Sequence, residues 1–223
     1  MTTFSRIAHI SQTATVKGNR VTLATGETVS ISAGNTKTGA IPALSLEPVR
    51  TCPGATAGCK GSCYALKSFR QYPAVRAAWS GNADLAERDP EALAGAVAAW
   101  LRTRKTPARM FRLHVAGDFL NADHFRAFVQ LARLHPETTF YGYTKTPDLP
   151  LTAAPSNLRV RVSVWSDGAD APAGTLAAYC RDGAETRIPA DALTCPATAG
   201  RDVTCATCRL CFMTTRPVVF NLH

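Results

Sequence analysis

The chain has 223 residues, of which 46% are hydrophobic, and its 25 Lys and Arg residues against 16 Asp and Glu residues give a formal net charge of +9. This length suits one ordinary domain with a sizeable core. No apolar run reaches membrane-spanning length, and the N-terminus lacks the apolar core of a secretory signal, so we expect a cytoplasmic protein with no membrane partner. The positive charge suits an anionic substrate or nucleic acid, and equally a solubilising surface.

Residues 1–40 are predicted to form a β-rich segment, because "RVTLATGETVSIS" contains two short alternating runs separated by a turn. Residues 41–190 are predicted to form a βα core that includes the first cysteines. A short strand in "IPALSLEP" leads into these cysteines, and the helix after them is interrupted at Pro73. The next helix is predicted to begin at Asp89, a capping residue followed by a proline and an acid.

The rest of the core alternates strands with helices. Strands are predicted in "MFRLHVAGDF" and at residues 139–145 and 158–165, with a helix capped by Asn121 after the first of them, while "AGTLAAYC" suggests a short helix. Residues 191–223 contain a cysteine-rich loop and a last strand. Such alternation predicts parallel βα units.

Each of these strands has one polar face. Strands of a parallel sheet that is covered on both faces are usually apolar on both faces. Arg112 and His114 stand opposite an apolar face, and Tyr143 and Lys145 share one side of the next strand. An antiparallel sheet with one wet face would explain this pattern, as would a barrel with a polar lumen, and the intervening helices favour the barrel. The predicted fold class is therefore α/β, a partial parallel βα barrel with a β-rich N-terminal segment and a Cys-rich C-terminal loop. Catalytic groups such as Asp118 would lie at the carboxyl ends of its strands.

The first cysteine group, Cys52, Cys59 and Cys63, has the spacing C-x6-C-x3-C within a glycine-containing loop. Glycines let the backbone wrap closely around a ligand. Because cytosolic thiols stay reduced, clustered cysteines in such a protein indicate a metal site or a catalytic group rather than disulfides. Three thiolates are typical of a [4Fe–4S] cluster with one open iron, although a distant residue could close it.

The second cysteine group, Cys195, Cys205, Cys208 and Cys211, has the spacing C-x9-C-x2-C-x2-C. Its C-x2-C-x2-C part matches the loops by which ferredoxins hold a [4Fe–4S] cluster. Zinc is the alternative metal, including zinc shared between the two groups. Cys180 has no partner spacing and is predicted to be a small buried hydrophobe.

Three further residues are candidate catalytic groups, each with a structural alternative. His114 could act as a general acid–base or as a fourth iron ligand, or be a hydrogen-bonded interior histidine. Asp118 could bind the amine of a cofactor, or be a turn acid. Lys145 could contact an anionic substrate, or end a strand in solvent.

Much of the chain resembles the phage and plasmid proteins grouped as the gene-product-eighty-eight family. The resemblance rests on "GNTKTGAIPALSL", "TCPGATAGCKGSCYALK", "FRLHVAGDF", "YTKT" and the final C-x2-C-x2-C followed by "VVFNLH", and it covers roughly residues 34–223. It implies kinship without a settled activity, and a phage origin implies the host cytosol.

More distantly, the layout is similar to that of radical S-adenosylmethionine enzymes. There, three cluster-binding cysteines follow the first strand of a partial barrel, as the first cysteine group here follows "ALSL", and a Gly-rich acidic segment ends the next strand, as "AGD" does here. The resemblance implies S-adenosylmethionine as cofactor, with Tyr64, Gly117 and Asp118 beside it, and an electron donor such as flavodoxin or ferredoxin. The cysteine spacing here is wider than the C-x3-C-x2-C usual in those enzymes.

Together these patterns predict an iron–sulfur enzyme with an open-site [4Fe–4S] cluster on the first cysteine group and a second cluster on the C-terminal group. The alternative is a non-catalytic, metal-stabilised (iron–sulfur or zinc) nucleic-acid-binding or redox-sensing protein of a phage or plasmid.

Overall fold

The computed structural model describes residues 2–183 and 187–222, which form two sheets flanked by helices. Among these residues, no helix is long and apolar enough to span a bilayer. The elements in chain order are α1 (Thr3–Thr13), β1 (Thr15–Lys17), β2 (Arg20–Thr22), β3 (Thr28–Ser30), α2 (Ala57–Gly61), α3 (Tyr64–Gln71), α4 (Pro73–Arg88), α5 (Pro90–Arg102), β4 (Met110–Arg112), α6 (Ala122–Leu134), β5 (Thr139–Thr144), a 3-10 turn (Leu151–Ala153), β6 (Leu158–Val164), β7 (Leu176–Arg181), β8 (Leu193–Thr194), α7 (Cys205–Cys208), α8 (Leu210–Met213) and β9 (Val218–Asn221).

The large sheet has six strands in the order β4-β5-β6-β7-β9-β8, and every neighbouring pair in it is parallel. It curls into a half-barrel, so the predicted α/β fold with a partial parallel barrel is confirmed. The small sheet, β1-β2-β3, is antiparallel and lies in the N-terminal segment predicted to be β-rich. Helix α1 precedes this sheet and was not predicted.

Several local signals act as the sequence predicts. The Asp89 carboxylate caps α5 by accepting from the Ala92 N–H (3.0 Å), and the Asn121 side chain caps α6 by accepting from the His124 N–H (2.9 Å). Pro73 separates α3 from α4. The prediction of a helix in "AGTLAAYC" is wrong, because residues 176–181 form β7 in the middle of the large sheet.

One face of the half-barrel carries the main hydrophobic core. Phe111, Phe140, Leu158 and Val160 point from β4, β5 and β6 into the same cluster as the buried residues of α5 and α6. Every residue of α5 from Ala92 to Leu101 is buried, and many of them are alanine or glycine, whose small size lets neighbouring elements approach closely.

The opposite face is polar, and the C-terminal segment covers it. Arg161 on β6 is 1% exposed, and its guanidinium donates to three carbonyl oxygens of that segment: those of Cys211 (2.8 Å), Thr214 (2.6 Å) and Arg216 (3.0 Å). A buried guanidinium is tolerated only when its donors have partners. Arg161 therefore fastens α8 and the residues after it to the sheet.

We expect Arg161→Lys to destabilise the protein by about 2–4 kcal/mol, because an ammonium cannot reproduce the forked set of charge-assisted hydrogen bonds. Arg159→Lys is the matched control on the same face of β6, since its guanidinium donates to the Thr214 carbonyl alone among the described contacts (3.2 Å). Chemical unfolding of both variants measures the difference. Equal losses of stability would show that Arg161 does not hold the C-terminal segment.

Candidate metal centres

The loop that carries the first cysteine group starts at the edge of the large sheet. The segment before it runs beside β4, where the Leu44 N–H donates to the Arg112 carbonyl (3.0 Å) and the Leu46 N–H to the Ala116 carbonyl (2.8 Å). The chain therefore enters the loop in the same direction as the strands, as it would after the first strand of a barrel.

The loop then folds over the carboxyl ends of β5 and β6. A Cβ at Gly54 would overlap the carbonyl oxygen of Lys145, the residue that follows β5. The Gly58 N–H donates to the Asp167 carboxylate (2.7 Å), and a Cβ at Gly58 would lie 3.4 Å from the Trp165 ring just beyond β6. Glycine at these two positions allows the loop to lie directly on the strand ends.

The three thiols of this loop are half-buried and lie close enough to affect one another electrostatically. Burial raises the pKa of the Cys52 thiol to about 11. Burial also raises the pKa of the Cys59 thiol. The positive charge of Lys145 opposes this rise, and Cys63 adds to it. The Cys52 and Cys59 thiols are therefore protonated at neutral pH, so a metal would displace their protons on binding.

Asp118 is buried and bound to backbone groups. Its carboxylate accepts from the Phe119 N–H (2.7 Å) and from the Lys145 N–H (2.7 Å), and so joins the segment after β4 to the end of β5. Burial raises the pKa of Asp118, and these hydrogen bonds oppose the rise. The structure thus places Asp118 and Lys145 together beside the first cysteine group.

Gly117 and Tyr64 shape the same corner of the site. Gly117 has φ +82°, and a Cβ there would lie 2.5 Å from Thr51 Oγ1 and 2.6 Å from Leu46 Cβ, so the close approach requires glycine. Tyr64 begins α3 directly after the last cysteine of the loop, and its hydroxyl donates to the Val115 carbonyl. Both residues hold the loop against the segment that follows β4.

His114 lies on the helix side of the sheet. Its ring packs against Phe119 (4.6 Å between centroids), His124 (5.1 Å) and Phe128 (5.5 Å). Neither ring nitrogen has a hydrogen-bond partner among the described residues, and burial lowers the pKa of His114 well below its usual value. The imidazole is therefore neutral and in an apolar environment, and its ring contacts are with the core.

The second cysteine group lines a single cavity. Cys195 follows β8, Cys205 and Cys208 are the first and last residues of α7, and Cys211 is in α8. All four line this cavity together with Tyr141 of β5 and several residues of the C-terminal segment. Among the residues that the structure describes, no set of three His, Cys, Asp or Glu side chains is arranged to hold a single metal ion.

Cationic and hydrogen-bonding side chains lie near two of these thiols, Cys205 and Cys211. Burial raises the pKa of Cys205, and the positive charges of Arg112 and Lys37 oppose the rise. Burial raises the pKa of Cys211 to about 11, and a hydrogen bond from the Tyr143 hydroxyl opposes that rise. Arg112 and Tyr143 on the polar face of the sheet, together with Lys37 from the loop after β3, therefore provide groups that stabilise thiolates at this position.

The sequence did not predict that Cys180 would lie near the first cysteine group. Burial raises the pKa of Cys180 to about 11, with Asp182 and Cys59 adding to the rise and Lys145 opposing it. One signal in the sequence was available: "TLAAYCRD" has eight residues between Gly174 and Gly183, which is a strand length rather than a helix length.

Comparison with known proteins places the chain in a family. No solved structure matches it. It is 33% identical over 104 residues to the Gene 88 protein of Mycobacterium phage L5, and this match covers 43% of the chain and 43% of the phage protein. The family model described as Gene product 88 matches residues 13–214. The chain therefore belongs to the Gene product 88 family.

Proposed function

We propose that the protein is an iron–sulfur enzyme in which each cysteine group holds a [4Fe–4S] cluster. The observation that carries this proposal is the convergence of Cys195, Cys205, Cys208 and Cys211 on one cavity. Four reduced thiols around one cavity supply the ligand type that a metal cluster takes, and the C-x2-C-x2-C spacing is the one that ferredoxin loops use for a cluster.

The surroundings of the second group suit an anionic cluster. Arg112, Lys37 and the Tyr143 hydroxyl provide positive charge and a hydrogen bond to the thiolates. Tyr141 and Phe212 pack against each other over the cavity (4.9 Å between ring centroids) and reduce the access of water. Charge, hydrogen bonds to sulfur and solvent exposure are the factors by which a protein sets a cluster's reduction potential. A cluster held here would relay electrons or stabilise the fold.

The first group is the proposed reactive centre, because it lies at the carboxyl ends of parallel strands, where such folds build their active sites. Cys52, Cys59 and Cys63 would bind three irons of a cluster, which supplies electrons and one further coordination position. The positive charge of Lys145 acts on Cys59 and would stabilise its thiolate form. The same charge would favour an anionic substrate at this end of the half-barrel.

S-adenosylmethionine is the cofactor that we propose for the remaining position, on the strength of the resemblance to radical enzymes. Tyr64, Gly117 and Asp118 all lie in the corner where the loop meets the segment after β4. Gly117 allows the close backbone approach there, and Asp118 supplies negative charge near Lys145. An electron donor of the flavodoxin or ferredoxin type, in the host cytosol, would be the partner.

A second candidate function, in nucleic-acid binding, is favoured by a cleft on the opposite end of the sheet. The cleft has a volume of about 480 Å³, and its lining includes Arg104, Arg109 and Arg209 but neither Asp nor Glu. Its floor includes Trp100, which Arg104 covers at 4.4 Å. Guanidinium groups around an apolar floor suit phosphates and bases. In this case, the metal would stabilise the fold or sense redox state.

Protein purified without oxygen should contain about eight iron atoms and about eight sulfides per chain, as two [4Fe–4S] clusters require. Cys63→Ala and Cys208→Ala should each lose about half of the iron, because each removes one thiolate from a different cluster. Ser62→Ala changes an exposed neighbour of Cys63 and should keep the full content. Colourless wild-type protein that contains zinc and no sulfide would rule out the proposal.

Added S-adenosylmethionine should alter the electron spin resonance of the reduced first cluster, since the cofactor would coordinate one of its irons. The cleanest sample is Cys208→Ala, in which the first cysteine group is intact; Cys63→Ala is the control that should not respond. If the signal of Cys208→Ala is the same with and without the cofactor, the chain remains an iron–sulfur protein but not a radical S-adenosylmethionine enzyme.

If the arginine cleft binds nucleic acid, a fluorescent single-stranded oligonucleotide should bind in a salt-dependent manner. Arg109→Ala should weaken binding and reduce the slope of log affinity against log salt by about 1, because one phosphate contact is lost. Arg126→Ala removes an exposed arginine of α6 outside the cleft and should leave the slope unchanged. No binding even at low salt would exclude this function.

A further inference from the structure

Cys180 lies on the polar face of the half-barrel, near the carboxyl end of β7. It pairs with Phe220 of β9, and paired residues of parallel strands point to the same face. The Phe220 ring contacts Tyr143 of β5 (5.4 Å between centroids), so Cys180, Phe220 and Tyr143 share that face. Tyr143 precedes Lys145 by two residues, and the Lys145 carbonyl lies against Gly54 of the first cysteine loop.

The first cysteine loop crosses the strand ends in the direction of Cys180. Gly54 lies on the end of β5 and Gly58 on the end of β6, as the contacts with Lys145 and Asp167 show. The next strand in the order of the sheet is β7, and the next residue of the loop is Cys59. The course of the loop therefore brings Cys59 towards the end of the strand that carries Cys180.

The electrostatics of the three side chains agree with this arrangement. Cys180 lies within electrostatic range of Cys59 and of the Lys145 ammonium. Cys59 is also within range of that ammonium. One cation thus lies near both thiols, although one sulfur belongs to the loop and the other to the sheet.

We propose that Cys180 is the fourth cysteine ligand of the first cluster in the protein free of cofactor. The inference rests on the proposed function and divides the eight cysteines into two sets of four: Cys52, Cys59, Cys63 and Cys180, and Cys195, Cys205, Cys208 and Cys211. On assembly of the cluster, the Cys180 thiol releases its proton to solvent as the bond from Sγ to iron forms.

This assignment changes how a cofactor reaches the iron. A cofactor must displace the Cys180 sulfur, which takes up a proton as it leaves, so cofactor and thiolate compete for one position. The free protein therefore protects its most reactive iron until a ligand replaces the thiolate.

The test compares wild-type protein with Cys180→Ala and Cys180→Ser, all as full chains purified without oxygen and then treated with a mild oxidant. Cys180→Ala should lose about one iron per chain and show the spin signal of a three-iron cluster, because the fourth iron has no protein ligand. Wild-type protein should keep all of its iron, and Cys180→Ser should lose less than the alanine variant, since its hydroxyl oxygen can still coordinate. Cys180→Ala should also respond to S-adenosylmethionine at lower concentration than wild type.

The C-terminal cluster is the internal control, because its signal should be the same in all three proteins if they are folded. Equal loss of iron from wild type and Cys180→Ala, with the C-terminal signal intact, would overturn the assignment of Cys180 and leave the proposed function standing. Wild-type protein without iron or sulfide would overturn both.

Discussion

The buried guanidinium of Arg161 is the interaction on which both the fold and the proposed site depend. A guanidinium taken out of water must find partners for its donors, and here those partners are backbone carbonyls of the C-terminal segment. The constraint brings Cys211 over the polar face of β6, and with it the short helices that carry Cys205 and Cys208. Without that docking, the four C-terminal thiols would have no common cavity.

The two faces of the half-barrel explain why a parallel sheet can carry a polar site. The face towards α5 and α6 is apolar and supplies the core, while the other carries charged and aromatic side chains beneath the cysteine-rich segments. Arg112 lies on that face beneath the second cysteine group. Its guanidinium lies 5.5 Å from the centre of the Tyr143 ring, and its positive charge acts on Cys205.

Sequence-based prediction succeeded where neighbours in the sequence determine an element and failed where distant residues determine it. Helix starts at Asp89 and Asn121 were predictable because a capping side chain bonds to an amide three residues away. The strand at residues 176–181 was mistaken for a helix because its alanines favour helix locally, whereas pairing with β6 and β9 makes it a strand. Helix α1 was missed because its stability comes from distant partners, including the ion pair of Arg6 with Glu91 (2.7 Å).

The sequence by itself determined the alternation of strands and helices, the family kinship and the grouping of seven cysteines, because each of these depends on the spacing of residues that are close together in the chain. Only the tertiary structure decided that His114 faces the apolar core, that the Asp118 carboxylate binds backbone amides, and that Cys180 lies on the polar face near the carboxyl end of β7. The physical reason is that strand order and register arise from packing over the whole chain, and spacing along the sequence does not specify which residues meet across a sheet.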